Sequence, residues 1–308
     1  MKPVLFLSSG DVLADRRYDY ARALRARGDL DAAADLLMQA VEIAPDFASA
    51  WFALGDLRDS QDDHDAAVAA FVEATRADPD DRHGARVRLM RLGAATHSEM
   101  PPGYIAALFD QYAPAFEASL VGDLSYRGPQ LLRDAVARVC RAQQRPVRFA
   151  RALDCGCGTG LAARAFADVV DTFAGFDLSP QMVAKARATG LYEALAVGDM
   201  VDGLRDTAPA SADLVLVADA AIYLPDLAPL CGAAARALTR RGLLALTCET
   251  HDGPGVLLGR ALRFAHGRDH VEAALAAAGL IPVHLTRESA RHEDGLPAPG
   301  LVIVGEKV

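Results

Sequence analysis

Strand-like apolar runs alternate with helix-like runs from residue 147 to the end of the chain, beginning at VRFARALDCG. Strands that are each followed by a helix of crossover length predict a mostly parallel sheet with helices on both faces. The last two runs, IPVHLTR and GLVIVGEK, are joined by a loop instead of a helix. That connection predicts an antiparallel pair at one end of the sheet. The pattern therefore predicts a doubly wound α/β fold.

A 34-residue period runs through the N-terminal part of the chain. The stretch 48–81 reads ASAWFALGDLRDSQDDHDAAVAAFVEATRADPDD, and its Pro79 follows Pro45 by one period. The same spacing relates two sets of small and apolar residues: Ala33, Leu37 and Ala40, and Ala67, Phe71 and Ala74. This stretch resembles a tetratricopeptide repeat, whose W-x2-L-G…A-x3-F…P pattern predicts a helix–turn–helix unit in each copy. Asp31 and Asp65 are expected to cap the second helices.

These patterns predict three parts of the chain. Residues 1–92 are expected to form an all-α domain of two repeats and a capping helix, residues 93–103 a linker, and residues 104–308 the α/β domain. Two repeats are fewer than the three that are usually needed for a stable fold, so this domain is expected to pack against the next one. Its role stays open between a docking surface for a protein partner and a structural or dimer-forming cap.

Composition excludes several classes of protein. The net charge is −9 and no cluster of Lys and Arg indicates a basic surface, which argues against binding nucleic acid. No apolar run approaches the length of a membrane span, and the N-terminal apolar run is too short for a signal peptide. We therefore expect a cytoplasmic protein. The five cysteines imply no disulfide framework, and Cys155 and Cys157 lack a second ligand pair for a metal.

The first strand of the α/β part ends in a glycine-rich loop, LDCGCGTG, residues 153–160. A triphosphate would need a lysine within the loop, and none is present. A dinucleotide prefers the spacing G-x-G-x-x-G, but Leu161 stands where its third glycine belongs and Gly160 comes one residue early. The spacing therefore argues against a pyrophosphate.

Acidic residues follow each of the first four strands, where a doubly wound sheet binds its ligand. S-adenosylmethionine has no phosphate but offers an ammonium group, a ribose diol and an adenine. Asp154 would suit the ammonium, Asp177 the ribose diol and Asp199 the adenine amino group. Asp219 would lie beside the methionyl end. Four acids at four strand ends are more specific than the loop alone.

Residues 104–308 resemble a class I S-adenosylmethionine-dependent methyltransferase, and the whole chain resembles the bacterial tetratricopeptide-repeat methyltransferases. The resemblance implies a seven-stranded, Rossmann-like sheet and S-adenosylmethionine as the cofactor. It also implies a set of cofactor-binding residues in and beside the loop: Asp154, Gly156, Cys157, Gly158, Thr159, Gly160, Asp177, Leu178, Met182, Gly198, Asp199, Met200 and Asp219. The family's lid segment looks like FDQYAPAFEASLVGDLSYRGPQLL, so Tyr112, Phe116 and Tyr126 are expected to cover the cofactor.

The predicted enzyme transfers a methyl group in line to an O, N or C nucleophile of an unidentified small molecule or protein. ADAAIYL stands where amide and base nitrogen methyltransferases show [DN]-P-P-[YF], which argues against these nitrogens as acceptors. TCETHDGPG has no Asp-Asn pair for a catalytic metal. We therefore expect metal-independent transfer. Glu249 and His266 are the candidates for a general base or a substrate contact.

Two alternatives to the methyltransferase remain. The chain could be a non-catalytic module that binds S-adenosylmethionine and a protein partner; the intact cofactor acids favour the enzyme. A nucleotide-dependent dehydrogenase is the weaker alternative, because the G-x-G-x-G spacing does not suit a dinucleotide.

Overall fold

The structure, a computed structural model, describes residues 5–114, 116–117, 125–293 and 295–308. It forms two compact units that divide between Gln111 and Tyr112.

The N-terminal unit is helical. Its helices are α1 Val12–Ala26, α2 Leu30–Ile43, α3 Ala48–Ser60, α4 His64–Ala77, α5 Ala85–Arg91 and α6 Pro102–Tyr112. The second helix of each predicted repeat begins two residues earlier than expected. Asp29 and Asp63, rather than Asp31 and Asp65, are the N-caps, because their carboxylates accept the N–H groups of residues 32 and 66.

The second repeat is held together by close packing between its two helices. A Cβ added at Gly55 would lie 2.7 Å from the ring of Phe71, so only glycine lets α3 and α4 approach this closely. Beyond this repeat, α6 begins at Pro102, inside the expected linker, and the ring of Tyr104 occupies the space beside Gly84. These contacts explain why most of α6 belongs to the helical unit.

The C-terminal unit is built on one sheet. Its strands are β1 Phe149–Cys155, β2 Val170–Asp177, β3 Tyr192–Val197, β4 Ala212–Val217, β5 Leu238–Thr250, β6 Val256–Leu258, β7 Phe264–His266, β8 Leu280–Arg287 and β11 Gly300–Lys307; β9 His292–Glu293 and β10 Leu296–Pro297 form a separate hairpin. Seven strands have the order β3-β2-β1-β4-β5-β11-β8, and β6 and β7 extend the sheet beside the end of β5.

The strand directions match the predicted fold class. The strands β1 to β5 pair in parallel, and β11 runs antiparallel between β5 and β8. The helices are α7 Gly128–Ala142, α8 Leu161–Phe166, α9 Pro180–Ala188, α10 Met200–Asp206, α11 Ala228–Ala237 and α12 Arg268–Ala277. The mostly parallel α/β sheet, preceded by a helical unit, confirms the predicted class.

Side chains that alternate along the strands supply both cores. Leu214 and Leu216 of β4 pack on one face with α7 and α8, whereas Val215 and Val217 pack on the other with α10, α11 and α12. Strands buried on both faces leave their carboxyl ends as the open edge at which a ligand can bind. Among the described residues, no helix is long and apolar enough to cross a membrane.

Candidate active site

The glycine loop lies between β1 and α8, where the sheet order reverses because β2 and β4 flank β1 on opposite sides. The N–H groups of Gly156 and Cys157 both donate to the Phe176 carbonyl at 2.9 Å, which fixes the loop against the end of β2. Gly156 has a φ of +71°, and a Cβ there would lie 2.5 Å from Cβ of Ala220. This glycine therefore lets the loop touch the turn that follows β4.

Asp177 joins the ends of three elements. One carboxylate oxygen accepts the Gly158 N–H at 2.9 Å and the other accepts the Ser179 N–H at 2.9 Å. Its carbonyl accepts the Gly198 N–H, also at 2.9 Å, which brings the end of β3 to the end of β2. The predicted ribose acid thus lies against the glycine loop.

Asp154 lies beneath the loop rather than on its surface. It is 1 % exposed, and its Oδ2 accepts the Tyr192 hydroxyl at 2.6 Å. Burial raises the pKa of Asp154 to about 7, and the negative charge of Asp177 adds to the rise, although the Tyr192 hydroxyl and the Ala163 N–H oppose it. A direct contact with a ligand's ammonium group is therefore less favoured by the geometry than an indirect one.

Asp199 is the N-cap of α10, and its Oδ1 accepts the N–H groups of Val201 and Asp202. The helix begins at Met200, which is partly buried against the core. Leu178 and Gly198 are half-buried at the same edge. Met182 is fully buried in α9, so the structure gives it no exposed surface for an adenine to pack against.

Five charged side chains form an arginine cluster beside the ends of β4 and β5: Asp219, Glu249, Arg263, Arg291 and Glu293. Arg291 is 4 % exposed and donates to both Asp219 and Glu249. Arg263 donates to Glu249 at 2.5 Å. Burial lowers the pKa of Arg291, but the adjacent carboxylates of Asp219 and Glu249 outweigh it and raise that pKa. The candidate base Glu249 is therefore engaged by two guanidinium groups.

The predicted lid residues approach the loop to different extents. Phe116 has a ring atom 3.9 Å from where a Cβ of Gly158 would lie. Tyr126 is half-buried, and burial together with the charges of Asp219 and Asp154 raises the pKa of its hydroxyl. Tyr112 ends α6 and is half-buried. Residues 115 and 118–124 of the predicted lid lie outside the described residues.

His266 ends β7 and has no exposed surface. Its ring stacks on that of His270, with centroids 5.2 Å apart. Burial and the neighbouring His270 lower the pKa of His266 to about 4, which keeps the ring neutral at pH 7. The ring lies close to Ala221, in the turn after β4, and is covered. Its predicted contact with substrate stays a prediction.

Cys157 and Thr159 line the loop from within, because both side chains are buried. Burial raises the pKa of both Cys155 and Cys157, so their thiols stay neutral and would be poor metal ligands. In the described ranges, no group of three or more His, Cys, Asp or Glu side chains could hold a metal ion.

Four residues of the site were not predicted from the sequence: Tyr192, Arg263, Arg291 and Glu293. Tyr192 starts a strand, and both arginines lie in loops, so none has a local pattern that marks it. A buried acid needs a partner, and that requirement alone could have prompted a search for donors to Asp154, Asp219 and Glu249.

Comparisons with known proteins agree with this arrangement. Residues 153–246 match a family described as a methyltransferase domain, a range that includes the glycine loop, Asp177, Asp199 and Asp219. Residues 14–57 and 48–81 each match a family described as a tetratricopeptide repeat. The chain therefore carries a methyltransferase domain and two N-terminal tetratricopeptide repeats, and the predicted resemblance is confirmed.

Individual relatives cover parts of the chain. Methyltransferase-like protein 27 of Homo sapiens is 38 % identical over 90 residues, which are 29 % of this chain and 35 % of that protein. The 1,6-didemethyltoxoflavin-N1-methyltransferase of Burkholderia thailandensis, solved with bound 1,6-didemethyltoxoflavin and S-adenosylhomocysteine, has a TM-score of 0.51 and 19 % identity over 70 % of this chain and 93 % of that one.

A second solved structure has the same fold. It comes from the complex between the Haloferax volcanii Trm112 methyltransferase activator and a methyltransferase, with a TM-score of 0.51 and 21 % identity over 64 % of this chain and 96 % of that one. At this level of identity the two structures establish the methyltransferase fold of the C-terminal unit.

Proposed function

We propose that this protein is an S-adenosylmethionine-dependent methyltransferase that transfers the methyl group in line and without a metal. The observation that carries the proposal is the bridge that Asp177 makes to Gly158 within the matched methyltransferase domain. Among the described residues, a Cβ at Gly158 would meet only Phe116 within 4 Å, which leaves room for a ligand beside the middle of the loop. The S-adenosylhomocysteine bound by the Burkholderia enzyme supports the same cofactor here.

The acids of β1 to β3 would hold the cofactor. Each carboxylate has about four acceptor positions, so Asp177 can accept ribose hydroxyls while it keeps its two N–H donors. Asp199 uses Oδ1 to cap α10, which leaves Oδ2 to accept the adenine amino group. Met200 and Leu178 would pack beside the adenine. Asp154 would act on the ammonium group through its charge, from below the loop.

S-adenosylmethionine supplies a methyl group already activated by the sulfonium, so the chain's own residues need to align an acceptor and exclude water. Phe116 and Tyr126 are proposed to cover the loop and the end of β4, which the approach of Phe116 to Gly158 and the effect of the Asp219 charge on Tyr126 support. Asp219 would border the methionyl end with its charge compensated by Arg291. Glu249 and His266 are proposed on the acceptor side, where the fully buried His266 would have to be uncovered before it could contact a substrate.

The acceptor is proposed as an O, N or C nucleophile of a small molecule or of a protein that docks on the repeats. Tetratricopeptide repeats stack helices into surfaces that bind partners, which favours a protein partner for this unit. We place the reaction in the cytoplasm.

Two measurements test the proposal. Calorimetry of the full chain with S-adenosylhomocysteine and with NAD is expected to give binding of the first alone. Incubation with methyl-labelled S-adenosylmethionine and a cell extract, divided into metabolite and protein fractions, is expected to label one fraction. Binding without labelled product in either fraction would favour the non-catalytic module, and no binding would overturn the proposal.

A further inference from the structure

The ring of Tyr192 fills a space that two glycines leave open beneath the glycine loop. A Cβ at Gly160 would lie 3.3 Å from the Tyr192 ring, and a Cβ at Gly175 of β2 would lie 3.0 Å from it. The ring also contacts Phe173, with centroids 5.9 Å apart. The loop therefore rests on Tyr192, and its third glycine makes room for this ring.

The hydroxyl of the same residue reaches the acid at the end of β1. It donates to Oδ2 of Asp154 at 2.6 Å, a distance typical of a hydroxyl–carboxylate hydrogen bond. Asp154 is 1 % exposed, so water does not take the place of this donor. Since a donor to a carboxylate stabilises its charged form, the hydroxyl acts directly on the charge of Asp154.

The groups around Asp154 come from every neighbouring element. Most of them are negative or neutral: Asp177 at the end of β2, Cys155 and Cys157 in the loop, Tyr126 before α7, and the Ala163 N–H in α8. Arg164 is positive and acts on Tyr192 from α8. No arginine or lysine is paired with Asp154 among the described contacts, so the tyrosine is its main side-chain donor.

We propose that Tyr192 is a positioning residue of the cofactor site, which supports the glycine loop with its ring and fixes the orientation and charge of Asp154 with its hydroxyl. The inference rests on the proposed function, because it assigns Tyr192 a part in holding S-adenosylmethionine. It makes cofactor affinity depend on pH through one buried acid.

The direction of that dependence follows from the charges. The amino group of S-adenosylhomocysteine is positive below pH 7.5, so it binds better when Asp154 is ionised. Affinity should therefore rise with pH through the pKa of Asp154, which burial places at about 7. Without the hydroxyl that pKa rises further, so the increase in affinity moves to higher pH.

The test is calorimetry of S-adenosylhomocysteine binding to the full chain from pH 5.5 to 7.5. Tyr192→Phe keeps the ring under Gly160 and removes only the hydroxyl. Its affinity is expected to fall by about 3- to 6-fold at pH 7, with a smaller loss at pH 5.5, where Asp154 is protonated in both proteins. Asp154→Asn is expected to remove the pH dependence. Tyr20→Phe, at an exposed tyrosine in α1, is the matched control.

A loss of the same factor at every pH, or no loss at all, would overturn the inference while leaving the proposed function intact. Failure of the unchanged protein to bind S-adenosylhomocysteine would instead overturn the proposed function. If Tyr192→Phe does not fold, the unchanged protein still tests whether Asp154 changes its charge on binding, on which the inference depends. Binding at pH 6.5 in buffers of different ionisation enthalpy should release protons, and an absence of release contradicts the role of Asp154.

Discussion

The acids on the two sides of the site are held by different kinds of donor. On the β1–β2 side, Asp154 and Asp177 accept hydrogen bonds from a hydroxyl and from backbone N–H groups. On the β4–β5 side, Asp219 and Glu249 accept from the guanidinium groups of the arginine cluster. Neutral donors fix a carboxylate without cancelling its charge, whereas a guanidinium fixes it and cancels the charge.

This difference suggests that the two groups of acids at the carboxyl ends of the strands have different roles. The acids that accept from a hydroxyl and from backbone N–H groups can attract and orient a cationic ligand, which suits the proposed cofactor side. The compensated acids attract it much less, and their pairing with Arg291 fastens the loop between β8 and β11 onto the sheet. The arginine cluster is therefore expected to matter for stability, and the β1–β2 acids for affinity.

Removal of Arg291 should have the largest effect. Arg291→Met removes the buried partner of the largely covered Asp219 and Glu249 carboxylates and should lower the free energy of unfolding by about 3–5 kcal/mol, measured by urea denaturation. The control is Arg287→Met, because Arg287 forms an exposed pair with Asp252 and should cost less than about 1 kcal/mol. Equal losses in the two variants would mean that the cluster is no more stabilising than a surface pair.

The buried His266, on the same side, should make the stability of the fold depend on pH. The pKa of His266 falls from 6.5 unfolded to about 4 folded, so the unfolded chain binds the extra proton between these values and stability rises with pH across that window. His266→Phe removes this contribution. The stability of the variant relative to the unchanged protein should therefore increase by about 3 kcal/mol as pH falls from 6.5 to 4.

His64→Phe, at a histidine whose side chain is 58 % exposed, is the control for the exchange of a histidine for phenylalanine as such. A pH-independent difference for His266→Phe would contradict the buried, neutral state of His266. The same variant tests its proposed role on the acceptor side, because unchanged turnover on an identified substrate would remove His266 from that role.

Loss of Asp177 tests the other side of the comparison. Asp177→Ala should weaken S-adenosylhomocysteine binding by about 1.5–3 kcal/mol in calorimetry, the scale of a lost hydrogen bond to a charged group. Asp171→Ala, at an exposed position near the opposite end of β2, should leave the affinity unchanged. If both variants bind equally well, Asp177 does not hold the cofactor.

The sequence predicted the features of the site that depend on local pattern. Asp177 and Asp199 were found because each follows a strand-like run, and the strand order then brought them to one edge. The partners of these acids were not found, because Tyr192 and Arg291 reach Asp154 and Asp219 across 38 and 72 residues of chain. The predicted N-caps of the second helices were also wrong, because Asp29 and Asp63 cap them in place of Asp31 and Asp65.

The smallest expected effect concerns the segment that carries Phe116. Arg164 of α8 donates to both carboxylate oxygens of Glu117 at 2.9 and 3.0 Å, which fixes the neighbouring Phe116 near Gly158. Both partners are more than 40 % exposed, so the pair is worth less than about 1 kcal/mol. Glu117→Gln should therefore weaken S-adenosylhomocysteine binding by up to about 5-fold, and only in low salt.

Glu193→Gln, at an exposed glutamate of β3, is the matched control and should have no effect on this affinity. A loss that persists in high salt would mean that Glu117 acts through more than its ion pair. It would also shift the comparison, because a third acid would then belong with Asp154 and Asp177 on the side that holds the cofactor, although this one is paired with an arginine. The contribution of an acid to cofactor affinity would then depend on how exposed its ion pair is, and not only on whether its donor is neutral or charged.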